Sequence, residues 1–163
     1  MIATTDRLLD YLADLVERIE RYGAVVLQTD DDELGWGNDD RGDLLMDVRA
    51  RPPLTVRSRS VQLTFQERWE PVGRDTWFRR EYSYELRDHV RDYRRAFHRH
   101  DEARFVRTFD VVTHEHCEAP MGRAACAHYY CAPVASAMDA LERLYDVWLT
   151  GAIPDCSALR CLD

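Results

Sequence analysis

The sequence of 163 residues predicts one α+β domain, in which an antiparallel sheet carries an N-terminal and a C-terminal helix on one face. Amphipathic helical patterns stand near both ends of the chain, and segments that alternate apolar and polar residues occupy its middle. A Gly73-Arg74-Asp75 turn joins two of the alternating segments, as expected for an antiparallel hairpin. We expect the domain to cover residues 1–150 and residues 151–163 to form an irregular C-terminal tail.

The first helix is predicted from Asp6 to Tyr22, because leucine and isoleucine recur there at the spacing of one helix face. Thr4 or Thr5 is expected to cap its N-terminus, since a hydroxyl can accept a hydrogen bond from a first-turn amide. Gly23 is expected to end the helix, because glycine readily adopts the left-handed backbone that often follows a last turn.

Strands are predicted where apolar and polar residues alternate, since successive strand side chains point to opposite faces of a sheet. In chain order the predicted strands are 24–28, 44–49, 60–72, 76–88, 90–97 and 111–117. Asp101 is expected to cap a short helix that runs to Thr108, and a loop rich in cysteine and histidine follows at 118–132. A last amphipathic helix is predicted from Pro133 to Leu149, with proline in its first turn.

Composition and charge exclude several classes of function. The net charge of −8 argues against nonspecific DNA binding over the whole surface. No uncharged apolar run reaches about 18 residues, and the charged N-terminus is not a signal peptide, so we expect a soluble cytoplasmic protein with no membrane partner. Residues 51–109 carry 14 arginines against 9 acidic residues. This basic block suits phosphate contacts, and its alternative is a solvated, ion-paired sheet face.

Histidines form the densest chemical cluster in the sequence. Residues two apart in a strand point to the same side, so His98 shares a face with His100, and His114 shares a face with His116. If the two segments pair, four imidazoles converge. His128 and three cysteines follow within a short distance along the chain.

One interpretation of the cluster is a zinc site, because zinc binds neutral imidazole and thiolate ligands in tetrahedral geometry. The candidate ligands are His114, His116, Cys117, Cys126, His128 and Cys131. No CxxC pair is present, so the spacing is not that of a standard zinc finger. The cysteines are alternatively small buried residues or disulfide partners, although an intracellular setting disfavours a disulfide.

A second interpretation is acid–base catalysis, because imidazole titrates near neutral pH and a pair can act as base and acid in one cycle. The candidate catalytic residues are His98, His100, His114 and His116. Arg95 and Arg99 could stabilise the charge on a phosphate during RNA cleavage, and Tyr84 could donate to the transition state or stack on a base. Each histidine is alternatively a partly buried structural residue.

The segment EYSYELRDHVRDYRRAFHRHD, followed by THEHCE and PVASAMDALERLYDVW, resembles the TumE-like toxins of toxin–antitoxin modules over roughly residues 60–150. Tyr82 and Tyr84 match a Tyr-x-Tyr strand, and His114 and His116 match a His-x-His motif. The chain departs from the family where FHRHD replaces a short Arg/Tyr/Asp motif. The resemblance implies an RNA-targeting toxin that an antitoxin protein inhibits.

We therefore expect a toxin-like ribonuclease that uses clustered histidines and no cofactor. Its expected partners are RNA, a cognate antitoxin protein and a second copy of the chain in a homodimer. The alternative function is a zinc-stabilised interaction or regulatory module without catalysis. In that case the interaction surface would be the acidic loop at residues 30–43, which contains Trp36.

Overall fold

The fold is built around long antiparallel strands. The computed structural model describes residues 1–27, 36–51, 61–100, 103–123, 126, 128–150 and 155–162. The strands are β1 (Ile2–Thr4), β2 (Val25–Leu27), β3 (Trp36–Asn38), β4 (Leu44–Arg51), β5 (Val61–Gly73), β6 (Thr76–Asp88), β7 (Tyr93–Arg99), β8 (Thr113–Glu118) and β9 (Tyr129–Tyr130). The helices are α1 (Thr5–Arg21), α2 (Ala103–Phe109) and α3 (Ala137–Thr150), and a 3-10 turn covers Cys156–Ala158.

Seven strands follow one another across the sheet in the order β2, β4, β5, β6, β7, β8 and β9, while β1 pairs with β6 and β3 pairs with β4. All of these pairings are antiparallel. The most extensive is the predicted hairpin of β5 and β6, which turns at Arg74 and Asp75. The chain is thus a mostly antiparallel sheet with helices. Within the described ranges, no helix is long and apolar enough to cross a membrane.

The apolar core lies between the sheet and two of the helices. Phe65, Tyr84 and Phe97 stand in register on neighbouring strands and are buried. They belong to one core cluster with Leu15 of α1 and Leu141 of α3. We call this side of the sheet the helix face. Burial of such side chains, at about 1.5–3 kcal/mol each, is the main force that holds the helices against the strands.

The opposite side of the sheet, which we call the outer face, is polar. The residues that alternate with the core positions are Gln66, Ser83, His98 and His114, and they stand in one row across β5, β6, β7 and β8. Strand alternation therefore separates the residues that build the core from those that carry polar chemistry.

The start of β7 differs from the prediction, which placed it at residue 90. The side chain of Asp88 accepts hydrogen bonds from the backbone amides of Val90 and Arg91, both at 3.0 Å. This local capping of the backbone holds a turn, as aspartate often does, and the strand begins only at Tyr93.

The ends of the long helices also differ from expectation. The last helix begins at Ala137 and not at Pro133, because Ser136 caps it: the Ser136 hydroxyl accepts a hydrogen bond from the Asp139 amide at 3.1 Å. At the first helix, Thr4 occupies the N-cap position, but its side chain makes no capping hydrogen bond.

A buried polar network crosses the helix face. The Arg79 guanidinium donates to the Glu67 carboxylate at 3.0 Å and to the Tyr84 hydroxyl at 2.7 Å. The Tyr84 hydroxyl also donates to Glu67, and so does the Tyr11 hydroxyl, whose oxygen lies 2.7 Å from the carboxylate. Burial raises the pKa of Tyr84 well above its usual value, so this hydroxyl keeps its proton. The network thus satisfies a carboxylate whose side chain is fully buried.

The same arginine fastens the segment that leads into α3. Its second terminal nitrogen donates to the carbonyl oxygens of Val134 at 3.0 Å and Ala135 at 2.9 Å. The Tyr82 hydroxyl accepts from the Val134 amide at 2.9 Å. Side chains of β6 therefore bond both carbonyls and the Val134 amide, and this segment lies outside the helix that was predicted from Pro133.

The C-terminal tail, expected to be irregular, contains the 3-10 turn and is joined to the rest of the chain by two disulfides. Cys117 of β8 pairs with Cys156, and Cys126 pairs with Cys161. Disulfides were the alternative that an assumed intracellular setting disfavoured. Their presence is typical of proteins from oxidising environments, and the cytoplasmic location stays a prediction.

The disulfide pattern makes a direct prediction about thiol content. Denatured but unreduced protein is expected to titrate as one thiol per chain, from Cys131, and reduced protein as all five cysteines. A thiol-reactive dye in denaturant measures both numbers. Five thiols before reduction, in protein purified without a reductant, would contradict the pairing.

Candidate functional site

The four histidines that were expected to converge meet on the outer face. Strands β7 and β8 are neighbours in the sheet, and their register places His98 directly opposite His114. Ala96 stands opposite His116 in the same pairing. Since residues two apart share a face, His100 lies on this side with His98. The two histidine-bearing segments therefore pair, as the predicted convergence of the four imidazoles requires.

The imidazole nitrogens of three of these residues are close together. His114 Nε2 lies 3.2 Å from His116 Nε2. One ring nitrogen from each of His98, His114 and His116 falls in a set whose members all lie within 4.8 Å of one another. Among the described residues, the buried Nε2 atom of His98 has no hydrogen-bond partner. A set of nitrogens with this spacing has the dimensions of a metal-binding site.

Two further imidazoles border this trio. The His128 ring centroid is 4.6 Å from that of His116, and the His100 ring centroid is 5.2 Å from that of His114. We call the five residues, His98, His100, His114, His116 and His128, the histidine cluster. The cluster thus joins two strands to the loop that follows β8.

A small residue makes room for these rings. Ala96 lies on the outer face between His98 and Arg94 along β7 and opposite His116 on β8. It is fully buried, so the surrounding side chains close over it. A longer side chain at this position would occupy the space that the His98 and His116 rings share, since the interior of a protein is close-packed.

The deeper part of the cluster is shielded from solvent. His114 is 1% exposed and His116 is 7% exposed. Phe109, at the end of α2, stacks on the His128 ring with centroids 5.6 Å apart, and His128 in turn contacts both of these histidines. An aromatic layer thus covers the side of the cluster at β8.

The other side of the cluster opens into a groove on the outer face. His98 and His100 line this groove, whose volume is about 330 Å³, together with Ser83, Gln66 and Asp47. These residues come from successive strands, so the groove runs across the sheet away from the buried histidines. A ligand could therefore reach the His98 side of the cluster along this groove.

Burial keeps the trio uncharged. Desolvation, together with smaller effects of neighbouring positive groups, lowers the pKa of His98 to about 2, of His114 to about 3 and of His116 to about 4. Neutral imidazole is the form that binds metals. A general acid must instead carry a proton near the working pH, so these values suit ligation better than a base-and-acid pair.

Two of the three residues expected to contact phosphate or a base, Tyr84 and Arg95, are not brought to the cluster. Tyr84 and Arg95 lie on the helix face by strand alternation, where Tyr84 is buried in the network with Glu67 and Arg95 pairs with Glu115 at 2.8 Å. The Arg99 guanidinium lies 5.9 Å from the centroid of the Phe78 ring. Arg99 lines the groove with His98 and His100, whereas the buried network and the ion pair occupy Tyr84 and Arg95.

The mixed histidine and cysteine ligand set is also not assembled. Cys117 and Cys126 are disulfide-bonded, and a disulfide sulfur is not a thiolate ligand. Cys131 keeps a free thiol, but it lies in a separate pocket with Arg95 and Glu115, and burial raises its pKa to about 11. The cysteines thus hold the C-terminal tail, and the histidines alone form the candidate metal centre.

Sequence reasoning missed the polar partners of the cluster. Arg94 Nη1 lies 3.3 Å from His116 Nδ1 and donates to the Glu118 carboxylate at 2.6 Å. Glu118 follows His116 by two residues on the same strand, so continuing the alternation His114, His116 by one step would have placed it on the outer face. The contribution of Arg94 depends on the strand register and has no such signal.

Comparisons of the chain with family models, with curated proteins and with solved structures find no match. The resemblance to the TumE-like toxins therefore stays a prediction, and the function has to be argued from the site itself.

Proposed function

We propose that the protein binds one zinc ion through His98, His114 and His116. The observation that carries the proposal is the 3.2 Å separation of His114 Nε2 and His116 Nε2. Two nitrogens bound to one tetrahedral zinc ion lie about 3.3 Å apart, as follows from the usual zinc–nitrogen distance. The nitrogen of His98 completes a set within 4.8 Å, so a small adjustment of its ring reaches the same ion.

The chemistry of the ligands supports zinc over harder cations. Imidazole suits zinc, copper and nickel, whereas magnesium and calcium prefer carboxylate, carbonyl and water oxygens. Because the pKa values of the three histidines are low, protons do not compete with the metal for their ring nitrogens at neutral pH. Three protein ligands leave a fourth position, which His128 could fill in a structural site or a water molecule from the groove could fill in an open one.

Bound zinc would fasten β7 to β8, since His98 comes from the first of these strands and the other two ligands from the second. Anything that binds only the folded state stabilises it, so zinc would act as a cross-link between neighbouring strands. This is the zinc-stabilised module of the sequence analysis with a different ligand set, in which histidines replace the cysteines.

We expect elemental analysis of untagged protein to find about one zinc ion per chain. His98→Ala and His114→Ala are each expected to weaken zinc binding by more than about 100-fold, because loss of a direct ligand should exceed the 10–100-fold cost of losing a supporting residue. Competition with a chromophoric chelator measures the affinity.

His89→Ala is the matched control, because His89 is an exposed histidine in the turn between β6 and β7. It should bind zinc like the unmodified chain. Zinc binding that is absent from the unmodified chain, or that survives in both cluster variants, would remove the proposal.

Cleavage of RNA is the second candidate function, favoured by one observation. The centroids of the His98 and His116 rings lie 4.7 Å apart, and His98 lines the groove together with His100 and Arg99. The antitoxin partner, the homodimer and the cytoplasmic location are proposals attached to this candidate. Its test is RNA cleavage in the presence of a chelator, compared between the unmodified chain and His98→Ala. Equal cleavage by both would attribute the activity to a contaminant.

A further inference from the structure

We propose that Glu118 is a positioning residue of the zinc site, which holds His116 with Nε2 directed at the ion. This inference rests on the proposed function. Its starting point is the contact between His116 Nδ1 and Glu118 Oε1, which are 3.4 Å apart at the edge of the site facing away from the ion. A carboxylate that accepts from the second nitrogen of a ligand histidine is a common support in metal sites.

The carboxylate is itself held from both oxygens. The Gly122 amide donates to Glu118 Oε2 at 2.7 Å, and Arg94 Nη1 donates to Oε1 at 2.6 Å. Glu118 is buried, and Gly122 adopts a left-handed backbone that turns its amide toward the carboxylate. Glu118 is therefore a fixed acceptor, and its position relative to His116 does not depend on a mobile side chain.

Hydrogen-bond chemistry assigns different roles to the two groups that contact His116 Nδ1. At 3.2 Å, the Nε2 atoms of His114 and His116 share a hydrogen, so one of them carries a proton in the metal-free protein. A zinc ion needs the lone pair of both. A neutral His116 must then carry its proton on Nδ1, where it can donate only to an acceptor.

Glu118 offers an acceptor oxygen 3.4 Å from Nδ1, whereas Arg94 has only donors and cannot accept a hydrogen bond from Nδ1. Contact of Arg94 with Nδ1, at 3.3 Å, favours the opposite tautomer, in which Nε2 is protonated and closed to the metal. Glu118 thus favours the metal-binding tautomer in two ways, by accepting from Nδ1 and by drawing the Arg94 guanidinium to its own oxygen. Among the described residues, the charged side chains that act on His116 are Arg94, Glu85 and Glu118, and Glu85 pairs with Arg94.

Glu118→Gln tests this role. Three donors surround the side chain at this position, and the carboxylate has two acceptor oxygens for them, whereas the amide of glutamine has only one. We expect the zinc affinity of this variant to fall by about 10–100-fold. The visible spectrum of the cobalt-substituted protein should change as well, since the orientation of the His116 ligand changes. A purely structural role for Glu118 would not alter the ligand field of a bound cobalt ion.

Glu115→Gln is the matched control, because Glu115 is a similarly buried carboxylate of β8 that also pairs with an arginine, Arg95 at 2.8 Å, but points to the helix face. It should keep the affinity and the cobalt spectrum of the unmodified chain. If Glu118→Gln fails to fold, Glu118→Asp retains the charge but withdraws the carboxylate by one methylene, and the same loss of affinity is expected. Circular dichroism of the metal-free proteins reports folding.

The outcomes separate the two proposals. An unmodified chain that binds no zinc would remove the proposed function, and with it this role of Glu118. An unmodified chain that binds zinc, together with a folded Glu118→Gln protein of equal affinity and unchanged cobalt spectrum, would overturn the positioning role alone.

Discussion

Replacing Arg79 with methionine is expected to lower the free energy of unfolding by about 3–5 kcal/mol, since removing one partner of a buried ion pair leaves the other charge uncompensated. Arg79 is 5% exposed and the Glu67 side chain is fully buried. The substitution also removes the donors to Val134 and Ala135, so it loosens the segment that leads into α3. Urea unfolding followed by circular dichroism measures the change.

Arg80→Met is the matched control for this prediction. Arg80 is the next residue of β6 and also pairs with a carboxylate, that of Glu70 at 2.9 Å, but its side chain is 41% exposed. Exposed pairs contribute about 0–1 kcal/mol, so the control should unfold almost like the unmodified chain. Equal losses in the two variants would show that the buried network contributes no more than a surface pair.

Cys156→Ser is expected to cost about 2–4 kcal/mol of stability under oxidising conditions, because it opens the loop closed by the Cys117–Cys156 disulfide. The substitution is made at Cys156 because this residue is only partly buried, whereas Cys117 lies in the core and can remain as a small apolar thiol. Denaturant unfolding of oxidised protein measures the loss.

Cys131→Ser controls for the removal of a cysteine without the removal of a bridge, since Cys131 is the free thiol. Adding a reductant to the unmodified chain should reproduce the Cys156→Ser loss or exceed it, because both disulfides are then opened. A reductant that leaves the unfolding midpoint unchanged would be incompatible with a stabilising role for the bridges.

The parts of the fold that sequence could predict are those that depend on local periodicity. The first helix and the β5–β6 hairpin are each defined by a regular repeat of apolar residues, and both were placed within a residue or so of their observed ends. The start of α3 was misplaced for two reasons: Ser136 caps the helix, and Arg79 bonds the carbonyl groups of Val134 and Ala135. The Ser136 cap is a local feature, whereas no local pattern encodes the contact with Arg79.

The candidate site divides in the same way. Alternation placed His114 and His116 on one face, but only the register of β7 against β8 brings His98 to them. Alternation also indicates where Tyr84 points. It lies two residues from the core residue Leu86 on β6, so it shares the helix face and points away from the histidines. The disulfide partners could not be deduced, because several pairings of five cysteines are compatible with one sequence.

The acidic loop at residues 30–43 was expected to serve as an interaction surface. Its residues 30–35 fall outside the described residues, as does the side chain of Trp36. From residue 39 onward the loop is anchored to the sheet, because Arg68 of β5 pairs with both Asp39 and Asp43. These two carboxylates therefore have partners within the chain.

The disulfides have a topological consequence for the last helix. The bond between Cys117 and Cys156 closes a covalent ring that contains all of α3, and the bond between Cys126 and Cys161 closes a second, overlapping ring around the same helix. A single proteolytic cut inside both rings leaves two pieces that remain joined until the bonds are reduced. Detachment of α3 from the sheet would likewise remain tethered, and the helix would re-dock at the high effective concentration of an intramolecular partner.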